Sequence, residues 1–239
     1  MSDCKSQYGI IGKPLGHSFS EQYFTDKFAL EHVPATYQAL QIDAIEEVLP
    51  LLQILDGINV TYPYKEEIIP YLTALDETAR AIGAVNVVHH GKGYNTDWIG
   101  FRDSLMSLIQ GNEQALLLGT GGVSKAIAYA LKQMGIGYTL VSRNPNPNAI
   151  GYEDLTEAII KQHTIIVNCT PLGMHPYEHE MPNIPYQLLG EAHLLYDCIY
   201  NPEMTRFLRM GQKQGCRVKN GLEMLHIQAD RAWEIWSEL

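Results

Sequence analysis

The sequence predicts an α/β protein in two parts, and three observations carry that prediction. Strand-like and helix-like segments alternate from the N-terminal region onward. A buried-strand run, Ala115-Leu116-Leu117-Leu118, enters the glycine turn Gly119-Thr120-Gly121-Gly122 and then the helical pattern Ile127 to Met134. Roughly a hundred residues precede that turn, enough for a separate domain. Repeated β-α-β units with long crossovers call for parallel sheet.

Tyr8 to Gly12 reads as a first strand, with Lys13-Pro14-Leu15-Gly16 turning into a helix over Ser20 to Leu30. Thr36 to Leu40 is the second strand and Ile42 to Leu55 the second helix. Gly57 to Thr61 is the third strand, stopped by Pro63 ahead of a helical turn, Tyr64 to Ile69. A helix over Asp76 to Ile82 ends at Gly83. Ala84 to His89 and Gly93 to Asn95 form a hairpin across Gly91-Lys92-Gly93, which sets Asn86 about opposite Asp97. A helix from Asp97 to about Ile109 follows, ended by Gly111-Asn112. The second half repeats the alternation, with strands near Leu116, Thr139, Ile166 and Leu195. It closes on an amphipathic helix, Leu222 to Trp236.

Composition narrows the function classes. The chain has 239 residues, is 46% hydrophobic and carries a formal net charge of -10, which argues against nonspecific nucleic-acid binding but not against a local anion site. Cys4, Cys169, Cys198 and Cys216 form no Cys-x-x-Cys pair, and the N-terminus has no secretory core. Reduced thiols and a cytoplasmic location are expected. No apolar run is long enough to span a bilayer. The expected partner is a small-molecule substrate, with no nucleic acid, no membrane and no metal, in a monomer or homodimer.

The strand–glycine turn–helix order aims backbone N–H groups and a helix N-terminus at a pyrophosphate. Gly119, Thr120, Gly121, Gly122 and Val123 are therefore candidate dinucleotide contacts, although an ordinary strand-to-helix turn has the same outline. Ser124 stands where Gly or Ala is usual. About 20 residues on, NAD-binding folds place an acid to hold the ribose 2′-hydroxyl. Here the strand ends in Ser142-Arg143-Asn144, without an acid. A guanidinium grips a 2′-phosphate where a carboxylate would repel it, so the cofactor expected is NADP.

The first part holds polar residues with two readings each. Thr61 and Lys65 flank the end of the third strand, where α/β ligands bind, while Lys65 beside Glu66 also fits a surface ion pair. Asn86 follows a core-like run and needs partners. Asp97 opens a helix as a cap or as a functional acid. Ser18 and Glu21 fit a capping box. Gln228 sits on the apolar stripe of the last helix.

Together these residues resemble the shikimate dehydrogenase family, nearly end to end. Gly12 to Ser20 is similar to its opening loop, and Asn59-Val60-Thr61-Tyr62-Pro63-Tyr64-Lys65 to its Asn-Val-Thr-x-Pro-x-Lys motif. Ala84-Val85-Asn86, Asn95-Thr96-Asp97, Gly119 to Ala126 and Asn168 to Met174 follow in order. Tyr196 to Tyr200 and Gly221 to Gln228 complete the set.

The resemblance implies an N-terminal α/β substrate domain over 1–100, rejoined by the helix 222–239. It implies a Rossmann-type NADP-binding domain over 101–221, with a cleft between the two. It implies NADP-dependent, reversible reduction of 3-dehydroshikimate to shikimate in the chorismate pathway of aromatic amino-acid biosynthesis. Substrate contacts would be Ser18, Ser20, Thr61, Lys65, Asn86, Asp97, Tyr200 and Gln228, with Lys65 and Asp97 catalytic. Cofactor contacts would add Ser142, Arg143, Asn168, Thr170 and Gly221 to the glycine loop.

Three departures stand out. Ser142-Arg143-Asn144 replaces the family's usual Asn-Arg-Thr, Glu223 replaces a usual Gly, and the loop after Arg143 is compact. The alternatives are a quinate/shikimate dehydrogenase with dual substrate or NAD use, a catalytically silent dinucleotide-binding regulator, and a one-carbon folate dehydrogenase. The last would want an apolar pterin slot.

Overall fold

A computed structural model describes residues 5–15 and 19–238. The chain divides into two compact units, 1–96 with 229–239, and 97–228. Each is α/β, as expected. Among the described residues no helix is long and apolar enough to cross a membrane.

The first unit runs β1 (Ser6–Gly12), α1 (Phe19–Leu30), β2 (Ala35–Gln41), α2 (Val48–Ile54), β3 (Gly57–Val60), β4 (Ala74–Leu75), α3 (Glu77–Ile82), β5 (Val87–His89) and β6 (Lys92–Tyr94). Its six-stranded sheet has the order β2-β1-β3-β5-β6-β4. The β2-β1-β3 core is parallel, and β5 joins it antiparallel to β3. The alternating side chains serve two apolar layers. Ile11, Ile58, Val60 and Val88 pack with Val48 and Ile68 in one. Tyr8, Ile10 and Val87 pack with Phe24, Phe28, Trp233 and Trp236 in the other.

The second unit runs α4 (Asp97–Met106), β7 (Gln114–Leu118), α5 (Gly122–Gln133), β8 (Gly137–Val141), β9 (Ala149–Ile150), α6 (Glu157–Gln162), β10 (Ile165–Asn168), β11 (Leu194–Asp197), α7 (Arg206–Lys213), β12 (Arg217–Lys219) and α8 (Leu222–Trp236). The unit boundary falls inside α8. The sheet order is β12-β11-β10-β7-β8-β9, with every pair parallel. This is the doubly wound, Rossmann-type arrangement. Both faces of β7 are buried: Ala115 and Leu117 pack with Phe101, Ile127 and Leu131, and Leu116 and Leu118 with Ile160, Ile166 and Phe207. That is why the run reads as continuously apolar rather than alternating.

Four local expectations need correction. The helix expected over Ile42 to Leu55 is a 3₁₀ turn, Ile45–Glu47, followed by the short α2. The Glu47 carboxylate accepts the Asp43 and Ala44 N–H groups at 2.9 Å each, which holds the chain in a capping turn. The helix expected to reach Ile109 stops at Met106. There Glu113 accepts the N–H groups of Gln110 and Gly111 at 2.6 and 2.7 Å. The hairpin turns at His90-Gly91, one residue earlier than expected, with both residues at positive φ (47° and 73°). That is the twist a two-residue hairpin loop requires. Its register, Val87↔Tyr94 and Val88↔Gly93, puts Asn86 opposite Asn95 rather than Asp97. Finally, the sequence reading lacks β4, β9 and β12, which are two or three residues long and carry no usable periodicity.

Candidate active site

In the first unit two of the expected residues, Ser20 and Asn86, lie along one buried chain of polar contacts. Ser20, in the first turn of α1, is buried and bonded to the Tyr37 hydroxyl. Tyr37 donates to Asn59 Oδ1 at 2.7 Å. Asn59 Nδ2 donates to the Asn86 carbonyl at 3.3 Å. The Asn86 side chain meets Thr96 twice: Oδ1 accepts the Thr96 N–H at 2.7 Å and Nδ2 donates to Thr96 Oγ1 at 3.0 Å. Asn95 Nδ2 fixes the same strand end by donating to the Ala84 carbonyl at 2.9 Å. Tyr37 is buried, and burial pushes its hydroxyl pKa well up, so it stays a neutral hydrogen-bonding link.

Thr61 and Lys65 follow the end of β3, both half-buried. The Thr61 N–H donates to the Ile11 carbonyl at 2.9 Å, and the Lys65 carbonyl accepts the Val85 N–H at 2.7 Å. The backbone of Lys65 is thus tied to the residue before Asn86. Gly12 permits this packing, because a Cβ there would stand 2.4 Å from Thr61 Cγ2. Ser18 lies outside the described residues. Tyr37 and Asn59 are links the sequence reading did not assign as site residues. The signals available for Asn59 were an amide on an otherwise apolar strand, Gly57-Ile58-Asn59-Val60, and its place at the head of the Asn-Val-Thr-x-Pro-x-Lys motif.

In the second unit Asp97 is the buried first residue of α4. One turn later, a Cβ on Gly100 would stand 2.6 Å from the Met224 carbonyl and 3.3 Å from Gln228 Cβ. Glycine there lets α8 press against the helix that Asp97 opens, and it brings the half-buried Gln228 to that helix. Tyr200 is half-buried beside Ile199, whose carbonyl accepts the Gly221 N–H at 3.0 Å. A Cβ on Gly221 would stand 2.3 Å from the Cys198 carbonyl, so the approach to α8 requires glycine.

The glycine loop leaves β7 where β8 lies on one side and β10 on the other. This is the topological switch point at which open α/β sheets bind ligands. Gly119 has φ 110°, and a Cβ on it would crowd Thr170 at 3.2 Å and Cys169 at 3.4 Å. Gly121 caps the 12-residue helix α5. Ser124, at the unusual fingerprint position, is buried and donates to the Gly119 carbonyl at 2.7 Å, locking the loop from inside.

At the end of β8, Ser142 Oγ accepts the Asn144 N–H at 3.1 Å, and Arg143 is exposed. Asn168 is fully buried, and its whole side chain is used. Nδ2 donates to the Leu172 carbonyl and Asp197 Oδ1, both at 3.1 Å, while Oδ1 accepts from Thr170 N at 3.0 Å and Thr170 Oγ1 at 2.7 Å. Asp197 in turn accepts from Ile199 N–H at 3.0 Å and Thr205 Oγ1 at 2.6 Å. Burial pushes its carboxyl pKa up to about 7, against those three hydrogen bonds that favour the ion. Glu223, unplaced from sequence, sits in the first turn of α8 and pairs with Lys219 at the end of β12. Cys169, Cys198 and Cys216 are free thiols.

A glycine loop that turns at a positive-φ Gly119, the start of a helix and a strand end without an acid fit a phosphorylated dinucleotide. Comparison with known proteins extends the match to the whole chain. Residues 10–88 match the family model for the shikimate dehydrogenase substrate binding domain. A shikimate dehydrogenase (NADP(+)) from Carboxydothermus hydrogenoformans is 36% identical, over 96% of this chain and 90% of the relative. The chain belongs to the shikimate dehydrogenase family. Among solved shikimate dehydrogenases, the crystal structure of that from Aquifex aeolicus superposes with a TM-score of 0.87 at 35% identity, covering 100% of this chain and 95% of the other. The shikimate 5-dehydrogenase of Thermus thermophilus, solved in complex with NADP(H) and shikimate, has a TM-score of 0.86 at 28% identity, covering 98% of this chain and 94% of the other.

Proposed function

We propose that this chain catalyses the reversible, NADP-dependent reduction of 3-dehydroshikimate to shikimate, a step toward chorismate and the aromatic amino acids. The observation that carries the reading is membership of the shikimate dehydrogenase family over 96% of the chain, the Carboxydothermus relative being named a shikimate dehydrogenase (NADP(+)). The strand end Ser142-Arg143, without an acid, supports the same cofactor. The unit of 1–96 and 229–239 is the substrate unit, and 97–228 the cofactor unit. A cytosolic location and a monomeric or homodimeric state belong to the reading, and the chemistry depends on neither.

NADPH supplies a hydride when bound. Gly119, Thr120, Gly121, Gly122 and Val123 would hold its pyrophosphate through backbone N–H groups, and Ser142 and Arg143 its 2′-phosphate. Thr170 and Gly221 would line its further end, with Asn168 shaping the Thr170 loop. On the substrate side, Lys65 donates the proton that the carbonyl oxygen needs and stabilises charge developing there. Asp97 and Asn86 bond ring hydroxyls together with Thr61, Tyr200 and Gln228. Ser18 and Ser20 take the carboxylate.

The deciding experiment is a screen of shikimate and quinate with NADP⁺ and NAD⁺, followed by nicotinamide absorbance. Turnover with shikimate and NADP⁺ well above the other combinations is expected. Comparable turnover of quinate would favour the dual-substrate alternative. No turnover in any combination would leave a dinucleotide-binding regulator.

A further inference from the structure

We propose that His89, His90 and Glu238 form a binding site for a divalent first-row transition metal of the Zn²⁺ class. One ligand atom from each of the three lies within 4.8 Å of the others. His89 ends β5, His90 begins the hairpin turn, and Glu238 follows α8. The three belong to the first unit.

The decisive atom is His89 Nε2. His89 is only 8% exposed, and among the described residues its Nε2 has no hydrogen-bond partner. The opposite ring nitrogen, Nδ1, lies 2.8 Å from the Asp56 carbonyl. A carbonyl only accepts, so Nδ1 carries the proton. In the neutral ring the Nε2 lone pair is then left facing the cluster. Glu238 Oε1 is 3.8 Å away, beyond hydrogen-bond range. An imidazole whose far N–H is held by a backbone carbonyl is the arrangement that orients metal-ligating histidines.

The neighbouring groups complete a donor set. The His90 ring stands 4.0 Å from that of His89, centroid to centroid, and is exposed, as is the Glu238 carboxylate. Ligands about 2.0–2.1 Å from a tetrahedral zinc lie roughly 3.3–3.5 Å from each other. Small rotations of the two exposed side chains close the difference. Two imidazoles and one carboxylate select Zn²⁺, Co²⁺ or Ni²⁺ over Mg²⁺. Such a metal would staple the chain's end to the hairpin, next to the contact in which Trp236 Nε1 donates to the Val88 carbonyl at 3.1 Å.

The test uses untagged, chelator-stripped full chain, titrated with Zn²⁺ by calorimetry and with Co²⁺ by visible absorption. One metal ion per chain is expected, with four-coordinate cobalt bands and no response to Mg²⁺. The thermal midpoint should rise by roughly 5–10 °C at Zn²⁺ a hundredfold above its dissociation constant. The exposed variants His90→Gln and Glu238→Gln, chosen because His89→Ala risks the fold, should each weaken binding by about tenfold or more. Absence of saturable binding overturns the proposal. So does wild-type affinity in both variants, which would place the metal on the cysteines instead.

Discussion

The Asn86 side chain grips Thr96 at both ends, accepting its N–H at 2.7 Å and donating to its hydroxyl at 3.0 Å. Both residues are buried, at the point where the hairpin strands give way to α4. Asp97 follows directly, so the backbone that carries the acid is fixed by an amide eleven residues earlier. Asn86→Ala removes both side-chain hydrogen bonds to Thr96. A loss of about 2 kcal/mol is expected, from two buried hydrogen bonds at about 1 kcal/mol each. Urea unfolding of the two proteins checks it, and a difference below about 0.5 kcal/mol would mean that other groups satisfy Thr96.

Asp197 gives a pH dependence with a definite sign. Its folded pKa, about 7, is above the ordinary carboxyl value near 3.9. Between these values the folded state holds a proton that the unfolded chain has released. Its contribution is therefore full below about pH 4 and is lost as pH rises to about 7. Asp197→Asn abolishes that titration. Unfolding midpoints measured from pH 4.5 to 8 should fall more steeply for the wild type than for the variant. Integrated over the window, the difference is at most roughly 4 kcal/mol. Parallel curves would show that the three hydrogen bonds outweigh burial.

Arg143 is exposed just past β8, so its removal should leave the fold intact. Arg143→Ala is expected to raise the Michaelis constant for NADPH by an amount equivalent to about 1.5–3 kcal/mol, the worth of a hydrogen bond to a charged group. Use of NADH should hardly change, because it lacks the 2′-phosphate. Steady-state kinetics with both cofactors decide the matter, and an equal effect on the two would assign the guanidinium another role.

The parts of this molecule that were legible in the sequence are those where one physical signal dominates. β7, β10 and β11 are buried on both faces and announce themselves as apolar runs. The glycine loop was legible because φ near 110° at Gly119 admits little else. Edge strands such as β9 were not, because two residues make no pattern. The hairpin slipped by one residue because His90, a residue with a Cβ, takes the first positive-φ position of the turn, which no glycine marks. Ser124 looked like a defect in the fingerprint. Its bond to the Gly119 carbonyl shows it closing the loop. The Ser20–Tyr37–Asn59–Asn86 chain links four segments far apart in sequence, and no local pattern encodes such a partnership.

The assignment of Lys65 and Asp97 is the most exposed to test. A general acid acts mainly in the transition state, so Lys65→Ala should cut turnover by a factor on the order of 10² to 10⁴, with much smaller changes in substrate binding. Asp97→Asn keeps the shape and removes the charge, and turnover should fall as well. If the ammonium and the carboxylate serve one proton transfer, the losses do not multiply, and the double variant is little worse than the poorer single one. All three variants are measured at saturating NADPH, with unfolding curves recorded alongside because Asp97 is buried. Near-wild-type turnover in Lys65→Ala would remove the lysine as proton donor. Multiplicative losses would show two groups acting separately, and Tyr200, half-buried shortly after β11, would then be the next candidate for the proton.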